Sequence, residues 1–303
     1  MFENRIVYMK GEFIPWEKAT VHIMSHSFGR GSAIFEVISF HATDSGPAIF
    51  RLKEHIDRLF NTAELLDMEL PISPEEFYKA TAGVVKHNQL QQGFIKIICF
   101  YPQFSVEVRP PKQPLEVSIF ALDPDQDLGG KVKSSQPTTA GISKWHKLDP
   151  QTVPIAAKAA ANYLNGMVAR LDVGKRGFEY AVMLDSQGFI AEGGTESLFL
   201  VIEGVLMTPV LGTILSGISR RSILEAAAVN GIPTKEARLH PGLLFEAEEL
   251  FFSCSPTKVI PVKQIENRVL TSVPGPLTQK VSTMLEDITS GRDPRFKDWL
   301  YPV

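Results

Sequence analysis

The stretch Pro154-Ile155-Ala156-Ala157-Lys158-Ala159-Ala160-Ala161-Asn162-Tyr163 sets one charged side chain in an almost unbroken run of small apolar residues. Such surroundings strip water from an ammonium group and favour the free amine, the form in which a lysine attacks an aldehyde. The plain alternative is a lysine on an alanine-rich helix projecting into water, and a lysine seen alone is usually that. The residues on either side separate the two readings.

Downstream, Phe189-Ile190-Ala191-Glu192-Gly193-Gly194-Thr195-Glu196-Ser197 carries a carboxylate out of a strand into a glycine pair. Glycines let the backbone approach a flat ligand closely, and Glu192 there could keep a pyridinium nitrogen protonated. A turn with two solvated acids is the alternative. A glycosidase pair of Glu192 and Glu196 is a poorer one, because sugar-binding aromatics are sparse. Leu215-Ser216-Gly217-Ile218-Ser219-Arg220-Arg221 then opens a helix whose first-turn N–H groups form an anion site. Two arginines in that turn oppose the helix dipole, and either a bound phosphate or solvent screening would relieve them. Ser255, after the apolar run Phe251-Phe252, could offer its hydroxyl to the same anion or be an ordinary turn serine. Upstream, Arg58 stands four residues after Glu54, which reads as a surface ion pair or as a phosphate clamp.

Around these residues the chain alternates short strands with helices. Strands are expected at 5–9, 13–15, 35–41 and 47–52, with a helix over 53–66 from the spacing of Ile56, Leu59, Phe60, Ala63 and Leu66. A second helix starts at Ser73-Pro74-Glu75-Glu76 with a capping box and proline at its first position. Strands follow at 94–100 and 115–121, and then a polar, turn-rich segment begins at Asp123-Pro124-Asp125. This gives a first domain over 1–121, a linker at 122–130 and a second domain over 131–303. In the second domain strands are expected near 131–142, at 180–184 and at 197–201, with helices around 160–171, at 218–230 and at 277–288 before an irregular tail. The class is α+β with two domains.

With 303 residues, 44% hydrophobic and 21% charged, the chain can bury a sizeable core. Lys+Arg 31 against Asp+Glu 34 nearly cancel, and no block of like charge points to nucleic acid or a membrane surface. No run reaches the roughly 18 apolar residues of a span, and the N-terminus lacks a leader's apolar core, so a cytoplasmic chain without membrane contact is expected. Cys99 and Cys254 lie in apolar runs, which reads as two reduced, buried thiols. The seven histidines show no metal-ligand spacing, so no metal is expected. Gly29-Arg30-Gly31 lacks the third glycine of a dinucleotide loop, and Gly129-Gly130-Lys131 lacks the spacing of a P-loop.

Taken together, the order and spacing of Met24-Ser25-His26, Phe35-Glu36-Val37, His55-Ile56-Asp57-Arg58-Leu59, Lys158 with Asn162-Tyr163-Leu164, Glu192-Gly193, Gly204-Val205-Leu206, Thr208-Pro209, Gly217-Ile218-Ser219-Arg220 and Pro261-Val262 resemble the class IV pyridoxal-phosphate (PLP) aminotransferases. This is the fold group of branched-chain and D-amino-acid aminotransferases, and the resemblance runs over nearly the whole chain. It implies a fold type IV enzyme with a smaller N-terminal α/β domain, a larger C-terminal domain, PLP as cofactor, an amino donor and a 2-oxo acid acceptor, and a homodimer. It further implies that Lys158 holds the cofactor and shuttles the substrate's α proton, and that Glu192 keeps the pyridine nitrogen protonated. Tyr163 would bond the phenolic oxygen. Arg58, the N–H groups of Ile218 and Ser219, and the Ser255 hydroxyl would hold the phosphate.

For the substrate pocket the resemblance points to Arg30, Phe35, Val37, Ser39, Lys96 and Arg109. Branched-chain enzymes carry a glycine and a basic residue after the pocket phenylalanine, where this chain has Val37 and Ser39. An aromatic residue followed by valine and serine looks more like the D-amino-acid and (R)-amine transaminases, and Arg109 falls where (R)-amine enzymes place a mobile carboxylate-binding arginine. It is otherwise an exposed loop arginine. Met24-Ser25-His26, Ala157-Lys158-Ala159 and Asp298-Trp299-Leu300 are closer to branched-chain enzymes. The expected reaction is transamination from an amino acid or (R)-amine with an apolar side chain. The alternatives are a branched-chain L-amino-acid aminotransferase, a lyase acting on an aminodeoxychorismate-like substrate with the same lysine, and a non-catalytic PLP-binding protein.

Overall fold

Alternation along residues 34–43 sends Ile34, Glu36, Ile38 and Phe40 to one face, where all four are buried, and leaves Phe35 and Val37 half-buried on the other. A charge among three large apolar neighbours is the first sign that this face carries more than packing. The structure is a computed structural model and describes residues 2, 4–129, 136–255 and 258–303. Two compact units divide the chain: Met1–Val132, Ala157–Ala161 and Asp287–Val303 form the first, Lys133–Ala156 and Asn162–Glu286 the second.

In the first unit, β1 (Ile6–Met9), β2 (Glu12–Pro15), β3 (Ile34–Thr43), β4 (Gly46–Phe50), β5 (Gly93–Phe100), β6 (Glu116–Leu122) and a C-terminal strand (Leu300–Pro302) form an antiparallel sheet. Its order is C-terminal strand, β4, β3, β5, β6, β1, β2. The short helix α1 (His26–Arg30) precedes β3, and α2 (Leu52–Glu64) and α3 (Pro74–His87) follow β4. Both longer helices lay their apolar stripes on the sheet, Leu52, Ile56, Leu59 and Ala63 from α2 joining Phe77, Val84 and Val85 from α3 over Ile34, Ile38 and Phe40. Ser73 caps α3 as the sequence predicts: the Glu76 N–H donates to its hydroxyl, and its own N–H donates to the Glu76 carboxylate at 2.8 Å. The segment expected as a linker at 122–130 contains the last residue of β6 and the short helix α4 (Pro124–Asp127), with 130 outside the described residues.

The tail expected to be irregular is instead an edge strand, Leu300 opposite Phe50 and Pro302 opposite Ala48. A 3-10 turn holds it in place: the Arg51 N–H donates to the Trp299 carbonyl at 2.6 Å, and the Arg51 guanidinium lies 4.0 Å from the centre of the Trp299 ring. Three residues are too few to show alternation, and their partner is some 250 residues away in the chain, roughly.

In the second unit, β7 (Thr138–Ile142), β8 (Tyr180–Leu184), β9 (Ile190–Gly193), β10 (Ser197–Ile202), β11 (Val205–Pro209), β12 (Thr234–Ala237), β13 (Glu249–Ser253) and β14 (Ile260–Ile265) run in the order β12, β11, β10, β13, β14, β7, β8, β9. A short β15 (Arg268–Val269) pairs with β14. Helices α5 (Tyr163–Gly174) and α6 (Ile218–Val229) belong to this unit, and α7 (Pro276–Thr289) begins in it. The strand expected near 131–142 is present as β7, its first part lying outside the described residues. The helix expected around 160–171 begins with a 3-10 turn at Ala160–Asn162 and becomes α-helical at Tyr163, so Lys158 precedes it in extended chain. Among the described residues no helix is long and apolar enough to cross a membrane. Cys99 is buried as expected, whereas Cys254 is only partly so.

Candidate active site

Lys158 counts with the first unit, where main-chain bonds fasten its segment alongside the start of β3. Phe35 N–H donates to the Lys158 carbonyl at 3.1 Å, Ala160 N–H to the Ala33 carbonyl at 2.8 Å, and Lys158 N–H to the Thr62 hydroxyl of α2 at 3.1 Å. The residue is 9% exposed, with Nζ 4.8 Å from the centre of the Phe35 ring. A lysine projecting from a helix into water is therefore not what the fold builds. Lys96 of β5, directly opposite Val37 of β3, brings a second ammonium to 5.2 Å from the same ring. Burial pushes the Lys96 ammonium below its ordinary range. Phe35, Lys96 and Lys158 thus share one side of the sheet.

On the opposite side of β3, Arg58 does not pair with Glu54 as its spacing suggested. Glu54 accepts from Arg51 at 2.7 Å, and the Arg58 fork closes on Glu36, Nε to Oε1 at 2.7 Å and Nη2 to Oε2 at 2.6 Å. His55 Nδ1 lies 2.7 Å from the same Glu36 Oε2. Glu36 is fully buried, and burial alone would push its carboxyl up; the Arg58 charge and the bonds from His55 and Arg58 outweigh it and hold the carboxyl at about 2. Burial pushes His55 down, helped by the charges of Arg58 and Lys158 and opposed by its bond and attraction to Glu36. Glu36 is thus a site-building residue that the sequence reading quoted without assigning a role. Its signal was present in the alternation, as the one charge on a strand face otherwise holding Ile34, Ile38 and Phe40.

A folded-state pKa of about 2 against an ordinary 4.5 means that this stabilisation is complete above pH 4.5 and is lost as pH falls toward 2. Chemical denaturation between pH 6 and 2 should show an acid-side loss of order 3 kcal/mol from this group. Glu36→Gln should flatten that part of the slope, and an unchanged slope would rule the pair out as its source.

In the second unit, Glu192 sits on β9, buried, and is ion-paired with Lys147. Its neighbour Glu196 is also buried, accepting from Arg170 Nη2 at 2.7 Å, from the Thr195 hydroxyl at 2.6 Å and from the Thr195 N–H at 3.0 Å. Neither acid is solvated. The Gly193–Gly194 turn between them is pressed by α5: a Cβ on Gly166 would come within 2.0 Å of the Gly194 carbonyl oxygen. Lys147 escaped the sequence reading because nothing in Lys144-Trp145-His146-Lys147 announces a partner 45 residues on, roughly.

Helix α6 starts at Gly217, which offers no side-chain cap, so its first-turn N–H groups present an anion site. The Ser219 and Ser255 hydroxyls lie 3.4 Å apart there. The two first-turn arginines are balanced without an anion: Arg220 pairs with Glu236 and donates to the Pro209 carbonyl at 2.8 Å, and Arg221 pairs with Glu225 at 2.6 Å. Tyr163 opens α5, half-buried. Of the remaining pocket candidates, Ser39 is buried with its hydroxyl 3.0 Å from His41 Nε2, while Arg30 and Arg109 are exposed. An uncapped helix start with two hydroxyls suits a phosphate, a buried carboxylate suits a protonated ring nitrogen, and a buried lysine suits an aldehyde.

A family model described as amino-transferase class IV matches residues 33–265. The chain is 30% identical to the branched-chain-amino-acid aminotransferase of Pseudomonas aeruginosa, over 97% of this chain and 96% of that one. It is 31% identical to that of Escherichia coli, over 98% and 97%. Among solved structures, the T.th. branched-chain amino acid aminotransferase complexed with N-(5'-phosphopyridoxyl)-L-glutamate superposes with a TM-score of 0.92 at 30% identity, over 100% of this chain and 99% of that one. The same enzyme with pyridoxamine 5'-phosphate gives 0.93 at 30% identity with the same coverage. The Escherichia coli branched-chain enzyme gives 0.93 at 30% identity, over 98% of this chain and 99% of that one.

Proposed function

Since the chain belongs to the class IV aminotransferases, and is therefore a PLP-dependent transaminase, we propose that its donor is an amino acid with an apolar side chain, branched-chain L-amino acids first, and its acceptor a 2-oxo acid. The observation that carries this is the pair of ammonium groups, Lys158 and Lys96, over the Phe35 ring. An apolar ring gives an aliphatic side chain its surface, and a desolvated cation beside it suits the distal carboxylate of a dicarboxylic acceptor such as 2-oxoglutarate. The names of the full-length relatives support the branched-chain donor. Val37 and Ser39 favour a second reading, a D-amino acid or (R)-amine, because the valine side chain fills space that a glycine would leave open.

When bound, PLP supplies an electron sink for the charge that develops at the substrate's α carbon. Lys158 would hold it, and its Nζ would take up the substrate's α proton, which a buried amine held by main-chain bonds can do without rearrangement. The Glu192 carboxylate accepts the ring N–H, and Lys147 beside it keeps that carboxylate oriented. The N–H groups of Ile218 and Ser219, the hydroxyls of Ser219 and Ser255, and the Arg58 guanidinium bind the phosphate, with Glu36 fixing the plane of the Arg58 fork. The Tyr163 hydroxyl bonds the phenolic oxygen. Phe35, Val37 and Ser39 shape the substrate side, and Arg109 borders it.

The same proposal includes a two-domain enzyme working as a cytoplasmic homodimer. Support for the second copy comes from the exposed apolar side chains Ile23 and Phe28, each about 70% exposed. The two cysteines, neither of them in a disulfide, fit a reducing compartment.

A donor screen that follows the spectrum of the bound cofactor tests the substrate reading. L-Leucine and L-valine should react; reaction only with D-amino acids and (R)-1-phenylethylamine would transfer the assignment to the second reading. Lys96→Met should raise KM for 2-oxoglutarate about tenfold, the worth of one charged hydrogen bond. KM for a monocarboxylic 2-oxo acid should stay put, and an equal rise for both acids would remove Lys96 from carboxylate binding.

A further inference from the structure

Three successive carbonyls of the loop after β5 are captured by side chains of α1. Arg30 Nη2 donates to the Val106 carbonyl at 2.8 Å and Nε to that of Glu107 at 3.4 Å, and His26 Nε2 lies 3.2 Å from that of Val108. A carbonyl only accepts, so Nε2 carries a proton, and in the neutral tautomer this leaves Nδ1 as an acceptor. Ser32 Oγ, 2.8 Å from Nδ1, is the matching donor, and Ser27 Oγ, 3.1 Å from Ser32 Oγ, donates to it. Ser27 Oγ in turn accepts from the Tyr101 N–H at 2.8 Å. A single relay therefore runs from the Tyr101 amide at the end of β5, through two hydroxyls and an imidazole, to the Val108 carbonyl. His26 and Ser27 are buried, 2% and 8% exposed, while the links through Ser32 and to the Val108 carbonyl are part-buried.

The root of the loop is fastened as well. His26 N–H donates to the Gln103 carbonyl at 3.0 Å, Ser105 N–H to the Met24 carbonyl at 3.3 Å, and Ser25 bridges Phe104. With the backbone held on one side, the side chains of Val106, Val108 and Arg109 are turned outward and exposed.

We infer that His26 is a positioning residue for the substrate loop: its imidazole relay, with Arg30, clasps the carbonyls of residues 106–108 and fixes the backbone from which Arg109 meets the substrate's carboxylate. This rests on the reading of Arg109 as a carboxylate-binding arginine given above. It also gives Arg30 a different task from lining the pocket, because its guanidinium is spent on the loop.

Two near-isosteric substitutions separate the clasp from mere packing. His26→Gln keeps an N–H where Nε2 stands and can still donate to Val108, whereas His26→Asn keeps only the acceptor toward Ser32. The holoenzymes are exposed to a glutamate-specific protease, and cleavage at Glu107–Val108 is followed by mass spectrometry. The His26→Asn protein should be cut there about tenfold faster than the parent, as loss of one hydrogen bond predicts, and the His26→Gln protein at close to the parental rate. Ser32→Ala, which deletes a link without touching the loop, should also accelerate the cut. Equal cleavage of the Asn and Gln variants, or parental rates in both, would overturn the clasp.

Steady-state kinetics read the second half. In His26→Asn, KM for an amino-acid donor should rise about tenfold with kcat retained, and KM for an amine without a carboxylate should not move. Faster cleavage with no change in donor KM would overturn the positioning role while leaving the transaminase assignment intact.

Discussion

Lys158→Ala is expected to abolish transamination: on the roles proposed for Lys158, removing a proton-transferring group alone costs about 10²- to 10⁴-fold in rate, and loss of an anchoring amine adds to it. The visible absorbance of cofactor bound through the lysine should vanish at the same time. Stability should hardly change, because bonds made by the main chain of this segment persist in the variant: Phe35 N–H to the Lys158 carbonyl, and Lys158 N–H to the Thr62 hydroxyl. That pairing of outcomes is the informative part. A variant that keeps its parental melting temperature and its turnover would remove Lys158 from the chemistry. One that unfolds would mean that the buried ammonium, rather than the main chain, holds the segment.

The second large effect is expected at Arg58. Arg58→Met leaves the buried Glu36 carboxylate with His55 as its remaining hydrogen-bond partner, and stripping one member from a buried pair costs about 3–5 kcal/mol. Urea denaturation of the cofactor-free protein should show that loss. Replacing both residues, Glu36→Leu with Arg58→Met, should recover most of it, since an apolar pair of similar volume needs no compensating charge. Cofactor retention should follow a different pattern: on the proposed role of Arg58, both proteins should release PLP on dialysis more readily than the parent, as neither would have a guanidinium for the phosphate. If the double variant holds PLP as tightly as the parent, Arg58 is a scaffold residue alone. If the single variant loses less than about 1 kcal/mol, the pair is better hydrated than its burial implies.

Much of the fold could be read from local pattern. The apolar spacing of α2 and the Ser73 capping box appear where the sequence places them, because each is fixed by residues three or four apart. The C-terminal strand could not be read, since an edge strand of three residues is defined by its partner β4 rather than by its own sequence. The candidate site divides the same way. Lys158 and Glu192 stood out by their neighbourhoods, an apolar run and a glycine turn. Glu36 as the partner of Arg58, Lys147 as the partner of Glu192, and the hydroxyl relay to His26 are all contacts that no short-range spacing rule describes. For Arg58 the short-range rule even pointed to the wrong acid, because the i, i+4 pair on offer is weak beside a bidentate bond in a dry core.

The C-terminal strand has a consequence for how the molecule is made. Ribosomes deliver the chain in order, and domains generally fold as they emerge. The sheet of the first unit, however, takes its edge beside β4 from residues 300–302, which are synthesised after the whole second unit. The nascent first unit must therefore wait with the backbone of β4 unpaired on one side and Arg51 without its tryptophan ring, a sticky interval of the kind that chaperones shield.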